Sequence, residues 1–182
     1  MDAMGDLNLK DLDLDSLRII RYPDPRLAQA AKPVARIDDK VRRLAQRMFE
    51  LMEQAKGVGL AATQVGLPIQ LFVANPSGQP GDRRVYVNPQ LVSLDGKIEV
   101  EEGCLSVPGI TCKLKRYQTV TIQATGLDGK EFEETGVDLA ARVYQHETDH
   151  LNGMLILDRM GSVARLANRW AIRQLEEEFE GK

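Results

Sequence analysis

The longest regular pattern of apolar and polar positions runs from Asp38 to about Lys56. Val41, Leu44, Ala45, Met48, Leu51 and Met52 recur at three- and four-residue spacing, which puts them on one face of a helix. Asp38 or Asp39 can cap its start, and Gly57-Val58-Gly59 stops it. The pattern then shortens. Ile69 to Ala74 is apolar enough for a buried strand, while Arg84 to Val87 and Thr119 to Gln123 carry β-branched or aromatic residues in partial alternation. Asn75-Pro76, Asp95-Gly96 and Asp128-Gly129 mark turns, and the last is flanked by 122–125 and 131–134 as a hairpin. Helical spacing returns from about Asp138 to Leu151, closed by Asn152-Gly153. A short strand, Met154 to Leu157, is expected next, then a last helix from about Ser162 to Phe179 with Leu166, Trp170 and Leu175 facing inward.

Many short strands joined by tight turns predict an α+β fold. Antiparallel β-sheets would pack around the central helix at 138–151, with one N-terminal and one C-terminal helix. Residues 1–16 alternate aspartate with leucine and read as an acidic, disordered tail, leaving 17–182 as a single catalytic domain. A hydrophobic content of 43% over 182 residues is enough for one core. The formal net charge of -3 gives the chain no general pull toward nucleic acid or anionic membrane. No run approaches the roughly 18 apolar residues that a membrane span needs, and the first residues lack the pattern of a signal peptide. A cytoplasmic protein is expected, with no membrane partner and no direct sequence-specific nucleic-acid binding.

Candidate chemistry centres on His146-Glu147-Thr148-Asp149-His150, inside the central helix. Residues four apart share a helical face, so both imidazoles can reach one ion, and Glu147 beside them can address a water. These are the only two histidines in the chain, which sharpens the pattern. A catalytic ion usually has three protein ligands. One metalloprotease pattern puts a third histidine six residues after the second, where this chain has Ile156; another takes a later glutamate, for which Glu176, Glu177 and Glu178 are candidates. The better candidate is Cys104, in Glu101-Glu102-Gly103-Cys104-Leu105-Ser106, because a thiolate is a strong soft ligand. The alternative is a cysteine nucleophile paired with a helix histidine. Cys112 reads as apolar filler. The stretch Gly57 to Gly66 is rich in small residues that permit close backbone approach, and its Gln64 can offer an amide N–H to developing negative charge.

Three segments together resemble peptide deformylase. Gly57 to Gln64 matches Gly-x-Gly-x-Ala-Ala-x-Gln, Glu102 to Ser106 matches Glu-Gly-Cys-Leu-Ser, and Gln145 to His150 matches Gln-His-Glu-x-x-Asp-His. Tyr22-Pro23-Asp24-Pro25-Arg26-Leu27 also looks like the family's opening segment. The resemblance implies a hydrolase that removes formyl from the formyl-methionine of nascent polypeptides and releases formate, a step of N-terminal processing in protein biosynthesis. It implies Cys104, His146 and His150 as metal ligands and Glu147 as general acid/base, with Gln64 and the Leu105 N–H polarising the formyl oxygen. Val58, Gly59 and Gly103 would line the substrate cleft. Fe(II) is the metal expected physiologically, with zinc, nickel or cobalt as substitutes. The family often carries an arginine a few residues beyond the cysteine motif; Ile110-Thr111-Cys112 occupies that stretch here.

In the last helix Arg165, Arg169 and Arg173 are four apart and form one basic stripe. A solvated amphipathic helix accounts for it, and the resemblance adds a contact to the ribosome, where formylated chains emerge.

Overall fold

The structure is a computed structural model that describes residues 12–181. The first helix, α1 (Asp39–Gln54), forms where the apolar stripe predicts it. Asp38 caps it by accepting from the N–H groups of Lys40 and Val41, both at 3.0 Å. Its inward face buries Val41, Leu44, Ala45, Met48 and Met52. The helix ends differently from the glycine stop expected. Lys56 adopts the left-handed conformation, with φ 57°, and Gly57 N–H returns to Met52 O at 2.8 Å. Glycine is therefore not the residue that takes the left-handed place; the glycines serve the cleft instead.

Five strands follow: β1 (Gly59–Ala61), β2 (Leu71–Ala74), β3 (Arg84–Cys104), β4 (Val107–Thr125) and β5 (Glu131–Val137). All neighbours are antiparallel, and the sheet order equals the chain order, β1-β2-β3-β4-β5. The hairpin expected around Asp128-Gly129 is present, with Thr125 opposite Glu131 and Ile122 opposite Glu134. Asp95-Gly96 is no turn. Asp95 pairs with Thr119 and Lys97 with Tyr117, so the strand runs on through Gly96, which absorbs a positive φ of 67° without leaving the ladder.

The central helix, α2 (Leu139–Leu151), lies against the sheet with Ala141, Val143, Tyr144 and Leu151 buried on Phe72, Tyr86, Val120 and Ile122. The strand expected at Met154–Leu157 is instead the start of a short helix, α3 (Ile156–Arg159). Asp158 accepts from Leu155 N–H at 2.7 Å, and that cap favours a helical turn over an extended run. The single last helix is divided into α4 (Ser162–Ala167) and α5 (Arg169–Glu180). Asn168 interrupts it, donating its side-chain amide to Ala164 O and to Thr111 O on β4. Ile172 and Leu175 face inward, but Leu166 and Trp170 do not, at 63% and 70% exposure.

Residues 1–11 of the acidic segment lie outside the described residues. Leu12, Leu14 and Leu17 pack against the α1 core cluster, and Arg47 donates to the carbonyls of Leu14, Asp15 and Leu17.

Candidate active site

Two elements bring the chemistry together: the tight turn between β3 and β4, and the middle of α2. Cys104 is the last residue of β3 and pairs with Val107, so the hairpin delivers its thiol at the tip of a rigid arm. His146 and His150 lie one helical turn apart on α2. Cys104 Sγ is 3.2 Å from His150 Nε2, which is 3.2 Å from His146 Nε2. One ligand atom from each residue falls within 4.8 Å of the others, which makes them a group able to hold one metal ion. A thiol and two imidazoles are the donor set of zinc or another borderline first-row cation. Glu176, a candidate for a later carboxylate ligand, instead accepts from Tyr22 OH at 2.6 Å.

The environment sets the charge of each group. His150 is buried, and burial first, then the positive charge near His146 and Arg116, pushes its pKa well below the usual value. That favours the neutral imidazole a cation requires. Glu147 is 3% exposed; burial pushes its carboxyl up to about 7, with the charge of His146 pulling the other way. Its Oε2 has no hydrogen-bond partner. Burial also works against the charge on Glu102, but hydrogen bonds from His146 and Arg116 outweigh it and hold this carboxyl at about 2.

Gln64 sits in the single helical turn Ala62–Val65 that follows β1. Ala61 N–H donates to its Oε1 at 2.9 Å. This fixes the amide so that Nε2 points to Ser106 Oγ at 3.1 Å and Cys104 Sγ at 3.7 Å. The cleft itself encloses about 590 Å³, with Val58, Gly59, Gln64, Gly103, Leu105 and Glu147 among its lining residues. This volume suits an extended peptide end better than a metal alone. Gly59 is required by space: a Cβ there would run into Glu147 Oε1 and stand 3.0 Å from Val143 Cγ1. At Gly103 a Cβ would meet nothing closer than Thr111 Cγ2 at 3.5 Å. All nine residues singled out from the sequence, Cys104, His146, His150, Glu147, Gln64, Leu105, Val58, Gly59 and Gly103, therefore meet at one cleft or the ligand cluster behind it.

Other residues the structure adds are Glu102, Arg116, Asp149 and Arg159, which form ion pairs behind the ligands. Glu102 and Asp149 stand inside two of the three recognised motifs, yet nothing in those motifs announces a role for them. Arg116 did leave a signal. Ile110, Cys112 and Leu114 alternate inward on β4, and period two places Arg116 on the same buried face.

The family model for polypeptide deformylase matches residues 16–166. A peptide deformylase of Chromobacterium violaceum is 42% identical over 162 residues, 89% of this chain and 97% of its own. The crystal structure of a peptide deformylase from Legionella pneumophila superposes with a TM-score of 0.84 at 40% identity, covering 92% of this chain and 99% of that one. That of Arabidopsis thaliana peptide deformylase 1B gives a TM-score of 0.86 at 39% identity, over 91% and 93%. A thiol and two imidazoles within 4.8 Å of one another, beside a buried glutamate and a peptide-sized cleft, have the same meaning as these matches: the chain belongs to the peptide deformylase family, metal-dependent hydrolases that remove the N-formyl group from nascent polypeptides.

Proposed function

We propose that deformylation in this chain is carried out by Glu147 as proton carrier, with Cys104, His146 and His150 holding the divalent cation. The observation that carries this reading is the convergence of three ligand atoms within 4.8 Å beside a buried, unpartnered carboxylate oxygen. When bound, the cation supplies Lewis acidity, polarising the formyl oxygen and making water a better acid. Glu147 takes a proton from the attacking water and returns it to the leaving amine nitrogen, so that formamide and water become formate and a free N-terminus. Gln64 lines the cleft with its Oε1 tied to Ala61 N–H, and its Nε2 donates to the oxygen on which negative charge develops. The Leu105 N–H is the second donor to that oxygen.

Val58, Gly59 and Gly103 line the bound peptide. Gly59 belongs to β1, whose one strand partner among the described residues is β2, so the peptide's backbone can add along the other edge like a further strand. Ile110-Thr111-Cys112 occupies the stretch where the family often has an arginine, and the Thr111 hydroxyl donates to Glu101 Oε1 at 3.2 Å. Backbone recognition therefore falls more heavily on the β1 edge.

Fe(II) is the expected physiological ion, with zinc, nickel or cobalt as substitutes, since a thiolate and two imidazoles suit all four. Among the described residues no helix is long and apolar enough to cross a membrane, and the substrate is found where chains are synthesised; the cytoplasm is the proposed location. Arg165, Arg169 and Arg173 are proposed to face the ribosome. Arg165 also donates to Leu157 O at 3.1 Å and Arg173 lies 3.5 Å from Glu177, so Arg169 is the arginine whose replacement by Glu should weaken salt-dependent association most.

The central test follows formate release from formyl-Met-Ala-Ser by the metal-loaded protein. Glu147→Gln should keep its metal and lose turnover by about 10²- to 10⁴-fold, while Cys104→Ser should lose metal. Near-full turnover in Glu147→Gln would sink the assignment.

A further inference from the structure

Behind the three ligands lies a row of charged side chains that reaches well beyond the cleft. His146 Nδ1 is 3.1 Å from Glu102 Oε2. Glu102 also receives both arms of one guanidinium, Arg116 Nε to Oε1 at 2.8 Å and Nη2 to Oε2 at 2.9 Å. The third arm, Arg116 Nη1, donates to Asp149 Oδ2 at 2.7 Å. Arg159 then closes on both oxygens of Asp149. The row crosses four elements, from α2 through β3 and β4, back to α2, and out to α3. Asp149 is held between two guanidiniums, and Glu102 between a guanidinium and the His146 ring.

Stability alone is a weak reason for such a row. Side-chain exposure is 2% for Arg116 and 7% for Glu102, and a buried ion pair often gains nothing over apolar residues of the same size. What the row does supply is direction. A carboxylate gripped at both oxygens by a guanidinium is fixed in place. Its Oε2 meets His146 on the Nδ1 side of the ring, which leaves Nε2 turned toward His150 and Cys104, as a ligand requires. The orientation of Glu102 follows from Arg116, that of Arg116 from Asp149, and that of Asp149 from Arg159.

We propose that Arg116, Asp149 and Arg159 are positioning residues for the metal centre, and that through them α3, which lies outside the cleft, holds His146 in its ligating orientation. The inference rests on the reading of Cys104, His146 and His150 as ligands. None of the three touches substrate. Arg159 is the informative end of the row, because its side chain is 40% exposed and its removal opens no cavity in the core.

Cobalt(II) serves as the probe, read by its absorption spectrum and by its release to a competing chelator, with unfolding temperature measured alongside. Wild type should show the near-ultraviolet band of a thiolate bound to cobalt, and Cys104→Ala should lack it. Arg159→Ala should keep the band but release the ion about threefold to tenfold faster, whereas Arg83→Ala, which breaks the surface pair with Glu53, should match wild type. Arg159→Lys should recover part of the loss, since it keeps the charge but not the fork. Should Arg159→Ala fail to fold, Arg116→Lys is expected to release the ion faster in the same way. Release equal to that of Arg83→Ala, with only the unfolding temperature lowered, would overturn the relay and leave the ligands standing. Absence of the thiolate band from wild type would overturn the ligands and the relay with them.

Discussion

Gly59→Ala places a single methyl group where the structure has no room for it. Its Cβ would overlap Glu147 Oε1, lie 2.9 Å from Glu147 Cδ and stand 3.0 Å from Val143 Cγ1. The tightest of these contacts is about 1 Å short of an ordinary carbon–oxygen separation near 3.4 Å, so the carboxylate must retreat by about that much. A misplacement of about 1 Å in a catalytic group costs on the order of 10²-fold in rate, equivalent to about 2.7 kcal/mol of transition-state stabilisation. Overpacking by one methyl adds about 1–3 kcal/mol of destabilisation. The comparison is Gly57→Ala. Its Cβ would meet Leu105 Cδ1 at 2.6 Å, but that atom is the tip of a side chain that can rotate away. Formate release from a formyl-tripeptide, normalised to bound metal and checked against thermal unfolding, separates the two. Gly59→Ala should fall about a hundredfold in kcat/KM, and Gly57→Ala by less than tenfold. A Gly59→Ala variant within twofold of wild type would refute the argument that this glycine exists to admit Glu147.

Two further outcomes follow from the fold. Lys56 holds a left-handed conformation that costs a non-glycine residue about 1 kcal/mol, so Lys56→Gly should raise the unfolding temperature despite adding a glycine; a lowered midpoint in a thermal melt would count against it. Trp170→Ala should change stability by no more than about 0.5 kcal/mol, as for an exposed site, whereas Leu175→Ala should cost about 2–5 kcal/mol. Denaturant titration distinguishes them, and equal losses would mean that Trp170 packs inward.

The elements legible in the sequence are those whose signal is local. The stripe from Val41 to Met52 needs only helical spacing to be read, and so does the His146/His150 pair. The Asp128-Gly129 hairpin carries its own turn chemistry. The readings that failed turned on partners outside the pattern being read. Asp95-Gly96 has a turn's composition, but β4 supplies a ladder on its flank that keeps the strand going. Met154 to Leu157 has a strand's apolarity, but Asp158 captures Leu155 N–H and starts a helix. Trp170 obeys helical spacing with Leu166, yet the core accepts Ile172 and Leu175, one face further round. The ligand set itself came from recognised motifs, while the ion pairs behind it did not, because Arg159 and Glu102 become neighbours of Asp149 and His146 only through the tertiary fold.

The sheet order has a consequence for how the molecule assembles. Each strand pairs with its successor in the chain, so loop closures are short and the meander can zip up from local contacts. Cys104 is therefore in place as soon as β3 and β4 meet. The two histidines arrive only when α2, the next element after β5, folds back across the sheet. A chain that has completed every strand still owns one ligand of three. Tight capture of the cation thus waits for α2 to dock, and a metal-sensitive signal during refolding should lag behind the formation of the sheet.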